Sequence, residues 1–173
     1  MNILFGNAAE FGTFFPLGHI DAATWNEVVD LNLTANWRLI QAMDPLLRAA
    51  PAGRTIFVTS GVARGVFPCW GPYAVCKAGL EMLVKIYAGE ISKTRVRANL
   101  IDPGIVRTRL RAPAFPSEDP THLPSPECVT DAFLALALPE CTQNGEVVMA
   151  PLFRRNLSSS QLRFIRICLD HEA

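Results

Sequence analysis

Apolar residues run almost unbroken from residue 2 to residue 9, NILFGNAA, and end on small side chains. That is the pattern of a strand buried on both faces that passes into a loop. Gly12, Pro16 and Gly18 then mark a turn-rich segment. From Asp21 onward Trp25, Val28, Val29, Leu31, Ala35, Leu39 and Leu46 recur at helical spacing, which predicts a long helix to about Ala50. Thr24 with Glu27 three residues later fits a capping box at its start, and Pro45 inside the pattern predicts a kink or pause near Met43 and Asp44.

The turn Pro51-Ala-Gly53 leads into a β-branched run, residues 54 to 59, that reads as a second buried strand. After a Gly- and Pro-containing loop, residues 73 to 91 form a second long helical pattern, and residues 95 to 101 a third strand broken by Asp102-Pro103-Gly104. Pro113, Pro116, Pro120, Pro124 and Pro126 make residues 107 to 126 mostly loop, with at most a short helix. A third helix over 127 to 138 and a short strand over 145 to 150 complete the alternation. About four strands alternating with helices predict an α/β domain, a parallel sheet with helices on its faces, over residues 1 to 150. Residues 151 to 173, with arginines mixed among serines and apolar positions, change character and read as an atypical carboxyl-terminal tail.

Composition supports a packed core: 50% of the 173 residues are hydrophobic and 18% charged. Sixteen basic residues balance sixteen acidic ones, so no global field favours nucleic acid or an anionic membrane. The start lacks the basic-then-apolar pattern of a secretory signal, and no apolar run is long enough to span a bilayer, so the expectation is a cytoplasmic protein with a small-molecule partner. Cys69, Cys76, Cys128, Cys141 and Cys168 form no CxxC pair and are odd in number, which argues for reduced thiols and against a metal site or disulfide framework.

The chemistry-bearing signal is Tyr73-Ala-Val-Cys-Lys77 at the start of a helix, with Ser60 at the end of the preceding strand. Residues four apart share a helix face, so phenol and ammonium can converge on one pocket. A nearby cation favours phenolate, so the Tyr73 pKa is expected below its ordinary value of about 10. Ser60 falls where open parallel sheets place their ligands. Taken singly, each of these residues has a plainer reading: a half-buried aromatic, a solvated lysine, a turn serine. Asn32 stands out because it sits in mid-helix between Leu31 and Leu33, where asparagine is a mediocre helix former.

On these residues the sequence resembles the short-chain dehydrogenase/reductase family, from residue 2 to about residue 150. Phe57-Val-Thr-Ser60-Gly and Gly71-Pro-Tyr73-Ala-Val-Cys-Lys77-Ala-Gly79 carry the serine and the Tyr-x-x-x-Lys motif. Gly6-Asn7-Ala8-Ala9 resembles the family's Asn-Asn-Ala-Gly element in two of four residues, Asp30-Leu-Asn32-Leu-Thr its asparagine helix, and Asp102-Pro103-Gly104-Ile105-Val-Arg-Thr108 its Pro-Gly loop. The resemblance implies a partial Rossmann-like doubly wound sheet and an oxidoreductase that interconverts a secondary alcohol and a carbonyl compound with NAD or NADP. It implies that Tyr73 exchanges the proton with the substrate oxygen, Ser60 polarises that oxygen, Lys77 holds the ribose and tunes Tyr73, and Asn32 holds a water connecting Lys77 to solvent. Asn7, Ala8, Pro103, Gly104, Ile105 and Thr108 would join Tyr73 and Lys77 in holding the cofactor. It also implies a homo-oligomer, dimer or tetramer, formed through residues 24 to 49 and 73 to 91.

The chain departs from the family in having no glycine-rich turn between a first strand and helix, where amides and a helix N-terminus would hold a pyrophosphate. Gly61-Val-Ala-Arg-Gly65 runs into Phe67-Pro68 and is no substitute. The expectation is therefore a truncated catalytic domain without the amino-terminal βαβ units, with weak or no NAD(P) binding of its own and an uncharged, apolar edge at residues 2 to 9. Two explanations stay open: a fragment of a longer enzyme, or a non-catalytic remnant or subunit acting as an oligomerisation module.

Overall fold

A computed structural model describes residues 1–150, and the tail expected over 151 to 173 lies outside the described residues. Four strands, β1 (Ile3–Gly6), β2 (Arg54–Val58), β3 (Arg97–Asp102) and β4 (Val147–Met149), form one sheet in the order β1-β2-β3-β4. All three pairings are parallel, with Leu4 opposite Thr55, Phe57 opposite Leu100, and Ile101 opposite Val148. The helices are α1 (Ala22–Val29), α2 (Ala35–Ala49), α3 (Gly71–Glu90), the single turn α4 (Arg111–Ala114) and α5 (Thr130–Ala137).

The strand periodicity divides the core in two. Leu4, Phe57 and Leu100 face α2 and α3, where they pack on Ile40, Leu47, Leu80 and Val84. The alternate residues Ile56, Ile101 and Val148 face α5 and pack on Ala132 and Leu136. Gly6 ends β1 because a Cβ there would overlap the Phe57 ring and press on the Asn36 side chain. At the free edge of the sheet, Ile3 and Phe5 are 40% and 48% exposed, so the edge of β1 is apolar as the sequence indicates.

The long helix after Asp21 differs from its sequence pattern at three points. Its cap is Asp21, not Thr24: the Asp21 carboxylate accepts the Thr24 backbone N–H at 2.9 Å and the Thr24 hydroxyl at 2.8 Å. Asp21 has extended backbone there, as a cap requires, whereas Thr24 is already helical. The irregularity expected at Pro45 is absent, and helix continues across it. Pro45 and Gln41 are both exposed, so the carbonyl that proline leaves without a donor faces water. The actual irregularity is a π turn over Asp30–Thr34, which separates α1 from α2 and carries the buried Asn32. Such turns insert one residue into the helical ladder and re-aim the side chains around it.

The opposite end of the sheet is held by Arg54, buried at the start of β2 and without a carboxylate partner among the described residues. Its guanidinium donates to the carbonyls of Gly53, Arg95, Leu138, Pro139 and Cys141 at 2.5–3.2 Å. That fan joins the turn before β2, the approach to β3 and the segment after α5. Burial holds the guanidinium below its ordinary pKa.

Candidate active site

Because all strands are parallel, their carboxyl ends share one edge, and Asn7, Ala8, Ser60 and the Pro103-Gly104 turn lie on the loops that leave it, with Tyr73 and Lys77 on α3 and Asn32 on the π turn before α2. β2 ends at Val58, and Ser60 continues in extended backbone, half-buried, before a short 3-10 turn over Gly61–Arg64. α3 begins at Gly71 with Pro72 in its first turn, where the missing N–H costs nothing. Tyr73 therefore stands in the first turn, 5% exposed, and Lys77 one turn later, 2% exposed.

The three side chains converge. Ser60 lies close enough to the Tyr73 phenol to draw its pKa down. The Lys77 Nζ lies 5.5 Å from the centre of the Tyr73 ring and donates to the Val58 carbonyl at 2.8 Å. The electrostatics run opposite to the sequence expectation of an acidified phenol. Burial pushes Tyr73 up to about 12, with the Ser60 hydrogen bond pulling it down and the Asp102 carboxylate pushing it further up. Burial also draws the Lys77 ammonium from 10.5 down to about 8, against the opposing effect of Cys76. The sequence supplies the charge partner but not the depth, and at this depth desolvation penalises phenolate and ammonium alike.

Asn32 is fully buried on the π turn. Its amide nitrogen donates to the carbonyls of Glu10 at 3.0 Å and Val28 at 2.8 Å, and its oxygen accepts the Glu10 N–H at 3.3 Å. Both main-chain groups of Glu10 are thus held by one side chain, and no direct hydrogen bond joins Asn32 to Lys77 among the described residues. Asn7 and Ala8 leave the end of β1 exposed. Past β3, Pro103 is half-buried while Gly104 and Ile105 are exposed. Gly104 takes φ +66°, a left-handed conformation glycine adopts freely, and its N–H donates to the Asp102 carboxylate at 2.9 Å. Thr108 lies further along, its hydroxyl accepting the Arg111 N–H at 3.2 Å at the start of α4. It borders a cavity of about 230 Å³ with Arg111, Phe115 and Glu118 that lies beside the serine–tyrosine–lysine group and is lined by none of those three.

Two features escape a sequence reading. The first is a clamp: the Arg64 guanidinium bridges Glu81 and Asp102, both buried, and Glu81 also accepts the Thr59 hydroxyl at 2.9 Å. One arginine thereby ties the loop after Ser60 to α3 and to the Asp102-Pro103-Gly104 turn. Its signal was Glu81, one turn beyond Lys77 on the buried stripe of α3, where a carboxylate requires a partner. The second is a group of aromatic rings around Tyr73 drawn from three loops.

A parallel α/β sheet with serine, tyrosine and lysine gathered at its carboxyl edge defines the Rossmann-like oxidoreductase class. The chain belongs to the short chain dehydrogenase family, whose model matches residues 1–119. The oxidoreductase YciK of Escherichia coli is 37% identical over 130 residues, covering 75% of this chain and 51% of that protein. The dehydrogenase/reductase SDR family member 4 of Rattus norvegicus is 33% identical over 108 residues, covering 62% of this chain and 39% of its own length. This chain therefore spans about half or less of these curated relatives. A short chain dehydrogenase from Salmonella enterica superposes with a TM-score of 0.83 at 33% identity, over 87% of this chain and 62% of that one. A short chain dehydrogenase from Escherichia coli solved with NADPH gives 0.82 at 34% identity, over 87% and 62%. No helix among the described residues is long and apolar enough to cross a membrane.

Proposed function

We propose that this chain is the catalytic part of an NAD(P)-dependent oxidoreductase that interconverts a secondary alcohol and a carbonyl compound, complete when a glycine-rich nucleotide-binding half is supplied. The observation that carries the reading is the convergence of Ser60, Tyr73 and Lys77 at the carboxyl edge of the sheet. The residues present suit a nicotinamide ribose: an ammonium has three donors, and Lys77, nearly inaccessible to water, uses one on Val58. The remaining donors and the Tyr73 hydroxyl would hold the ribose, with Asn7, Ala8 and Pro103 through Ile105 beside the ring and Thr108 at its amide. When bound, the nicotinamide supplies or accepts the hydride.

The protein's own task is the proton. With its pKa pushed up to about 12, Tyr73 is fully protonated at neutral pH and is set as a donor to the carbonyl oxygen in the reductive direction. Ser60 holds that oxygen against the phenol and polarises it. The Lys77 ammonium, 5.5 Å from the ring centre, stabilises the negative charge that builds on the phenolate as the proton leaves. Asn32, by fixing Glu10, sets the loop after β1 beside them. A two-step route from Lys77 to solvent through water at Asn32 remains part of the proposal.

The test is nicotinamide oxidation with a panel of ketones, in the longest polypeptide the gene encodes around this sequence. Tyr73→Phe is expected to lose at least about 100-fold in rate, as removal of a general acid does; an unchanged rate defeats the assignment. The short chain by itself is expected to bind NADPH weakly, and micromolar affinity in calorimetry contradicts that. A second reading, an oligomerisation module, is favoured by exposed Trp37, Leu46, Met82 and Ile86 on α2 and α3. A soluble homo-oligomer without nucleotide affinity, formed by the longest polypeptide the gene encodes, supports it over the enzyme reading.

A further inference from the structure

Six aromatic rings gather at the carboxyl edge of the sheet, and their loops are distant in sequence. Phe11 and Phe14 follow β1, Phe67 and Trp70 follow β2 with Tyr73 opening α3, and Phe115 follows β3. Phe11 meets Tyr73 edge-on, ring centres 4.6 Å apart at 75°, and meets Trp70 at 5.3 Å and 76°. Phe14 lies 5.0 Å from Trp70, Phe115 5.9 Å, and Phe67 6.3 Å. Apart from Tyr73 none of these rings is buried, and none, Tyr73 included, belongs to either core cluster. Three loops bring these rings around one hydroxyl, outside both core clusters.

We infer that these rings are the substrate subsite, and that they select a carbonyl or secondary-alcohol carbon bearing an uncharged aryl group. This rests on the oxidoreductase reading above. Apart from the Ser60 and Tyr73 hydroxyls, which are reserved for the reacting oxygen, and the Trp70 indole N–H, these side chains present ring faces and edges. A polyol or carboxylate placed among them loses its water without replacement. An aryl group loses nothing polar and gains apolar burial together with edge-to-face contacts. Arg111 lies 4.0 Å from the centre of the Phe115 ring and is paired with Glu118, so its charge is already engaged. Phe11 is the ring set most firmly: it follows Glu10, whose backbone Asn32 holds at both N–H and carbonyl. Phe11 then sits against the phenol that would donate the proton, so the subsite and the acid are registered by the same buried amide.

Binding and turnover separate this inference from the reading beneath it. Saturation-transfer NMR on the chain, with acetophenone and dihydroxyacetone as probes, is expected to show transfer to the phenyl protons and none to the triose. Trp70→Leu and Phe67→Leu are both to be measured, the second changing an exposed ring so that misfolding of one variant leaves the other informative, with circular dichroism as the fold check. Loss of the Trp70 ring from the wall of the subsite in Trp70→Leu predicts about ten-fold weaker acetophenone transfer or aryl-ketone kcat/KM. Equal transfer to both probes, or acetophenone transfer untouched by either folded variant, overturns the inference. Turnover of aliphatic but not aryl ketones also overturns it and leaves the oxidoreductase standing. Ring-dependent acetophenone binding with no turnover of any carbonyl by the longest polypeptide the gene encodes around this sequence supports the subsite and removes the enzyme reading.

Discussion

Replacing Lys77 by Met is expected to stabilise the folded chain at neutral pH. Burial lowers the lysine from 10.5 to about 8, which corresponds to about 3 kcal/mol of penalty against the folded ammonium at pH values below both. Methionine removes that penalty and fills nearly the same space with an unbranched side chain. It also removes the hydrogen bond to Val58, at a cost of about 1–1.5 kcal/mol. The net expectation near pH 7 is a gain of about 1–2 kcal/mol, less than the sum because these contributions share one group. Between pH 8 and 10.5 the unfolded wild-type chain still binds the lysine proton and the folded one does not, so wild-type stability rises with pH across that window. The advantage of Lys77→Met should therefore shrink from pH 7 to 9.5 and vanish or reverse, since a neutral amine still donates to Val58. Tyr73, raised to about 12, favours the folded state until pH passes 10, and Cys76, raised to about 11 by burial, does so until pH passes 9. Comparing the two proteins at each pH largely cancels both. Urea unfolding at pH 6.5, 8 and 9.5 measures the difference; a variant about 2 kcal/mol less stable than wild type at pH 6.5, or a difference independent of pH, refutes the reasoning.

Arg64→Met leaves Glu81 and Asp102 buried without their common cation. Since Arg64 is 37% exposed, the usual cost of about 3–5 kcal/mol is discounted to about 2, and a cycle with Glu81→Gln should show coupling of about 1 kcal/mol by denaturant unfolding; additive effects contradict the clamp. Asn32→Ala should cost about 2–4 kcal/mol by stranding Val28 and both backbone groups of Glu10, and should raise amide hydrogen exchange at Glu10 and Phe11 more than in β3; uniform exchange speaks against the local role. Arg54→Lys should destabilise by about 3 kcal/mol or more in the same unfolding assay, because a lysine cannot reach five carbonyls with a planar fork. A cost within about 0.5 kcal/mol, the range of an ordinary surface change, defeats that account.

The strands were legible because alternate residues such as Ile56 and Phe57 bury on opposite faces, giving an unbroken apolar run, and Ser60, Tyr73 and Lys77 because a four-residue spacing puts the last two on one helix face and the family resemblance adds the serine at the preceding strand end. What failed was whatever depended on partners far along the chain. The Thr24–Glu27 spacing matched a cap template, while Asp21 three residues earlier had the extended backbone a cap needs. The π turn was invisible because its residues answer to Glu10, 22 positions away from Asn32. The pKa of Tyr73 went the other way because proximity of a cation can be read from spacing, and the desolvation of both groups cannot. Arg64 sat in a segment considered only as a failed glycine loop; its role exists once β2, α3 and β3 bring Glu81 and Asp102 to it.

The costs in this fold are unevenly placed. At the carboxyl edge lie an ammonium drawn down to about 8, a phenol pushed up to about 12, and Cys69, a non-glycine residue held at φ +68° between Phe67 and Trp70. The buried ammonium and the left-handed Cys69 are each unfavourable by themselves, the phenol becomes so once it must ionise, and such features persist where surrounding structure overdetermines them. That surrounding structure is visible: Arg64 locks the loops after β2 and β3 to α3, and Asn32 locks the loop after β1. At the amino edge the buried charge of Arg54 meets five carbonyls and leaves no strained partner. One edge is built for stability and the other carries its strain next to the rings and hydroxyls that could meet a ligand. A sheet serving only as an oligomerisation scaffold has no use for that asymmetry, since its exposed apolar residues on α2 and α3 lie on the outer face of the helices and need neither a buried lysine nor a pinned Phe11.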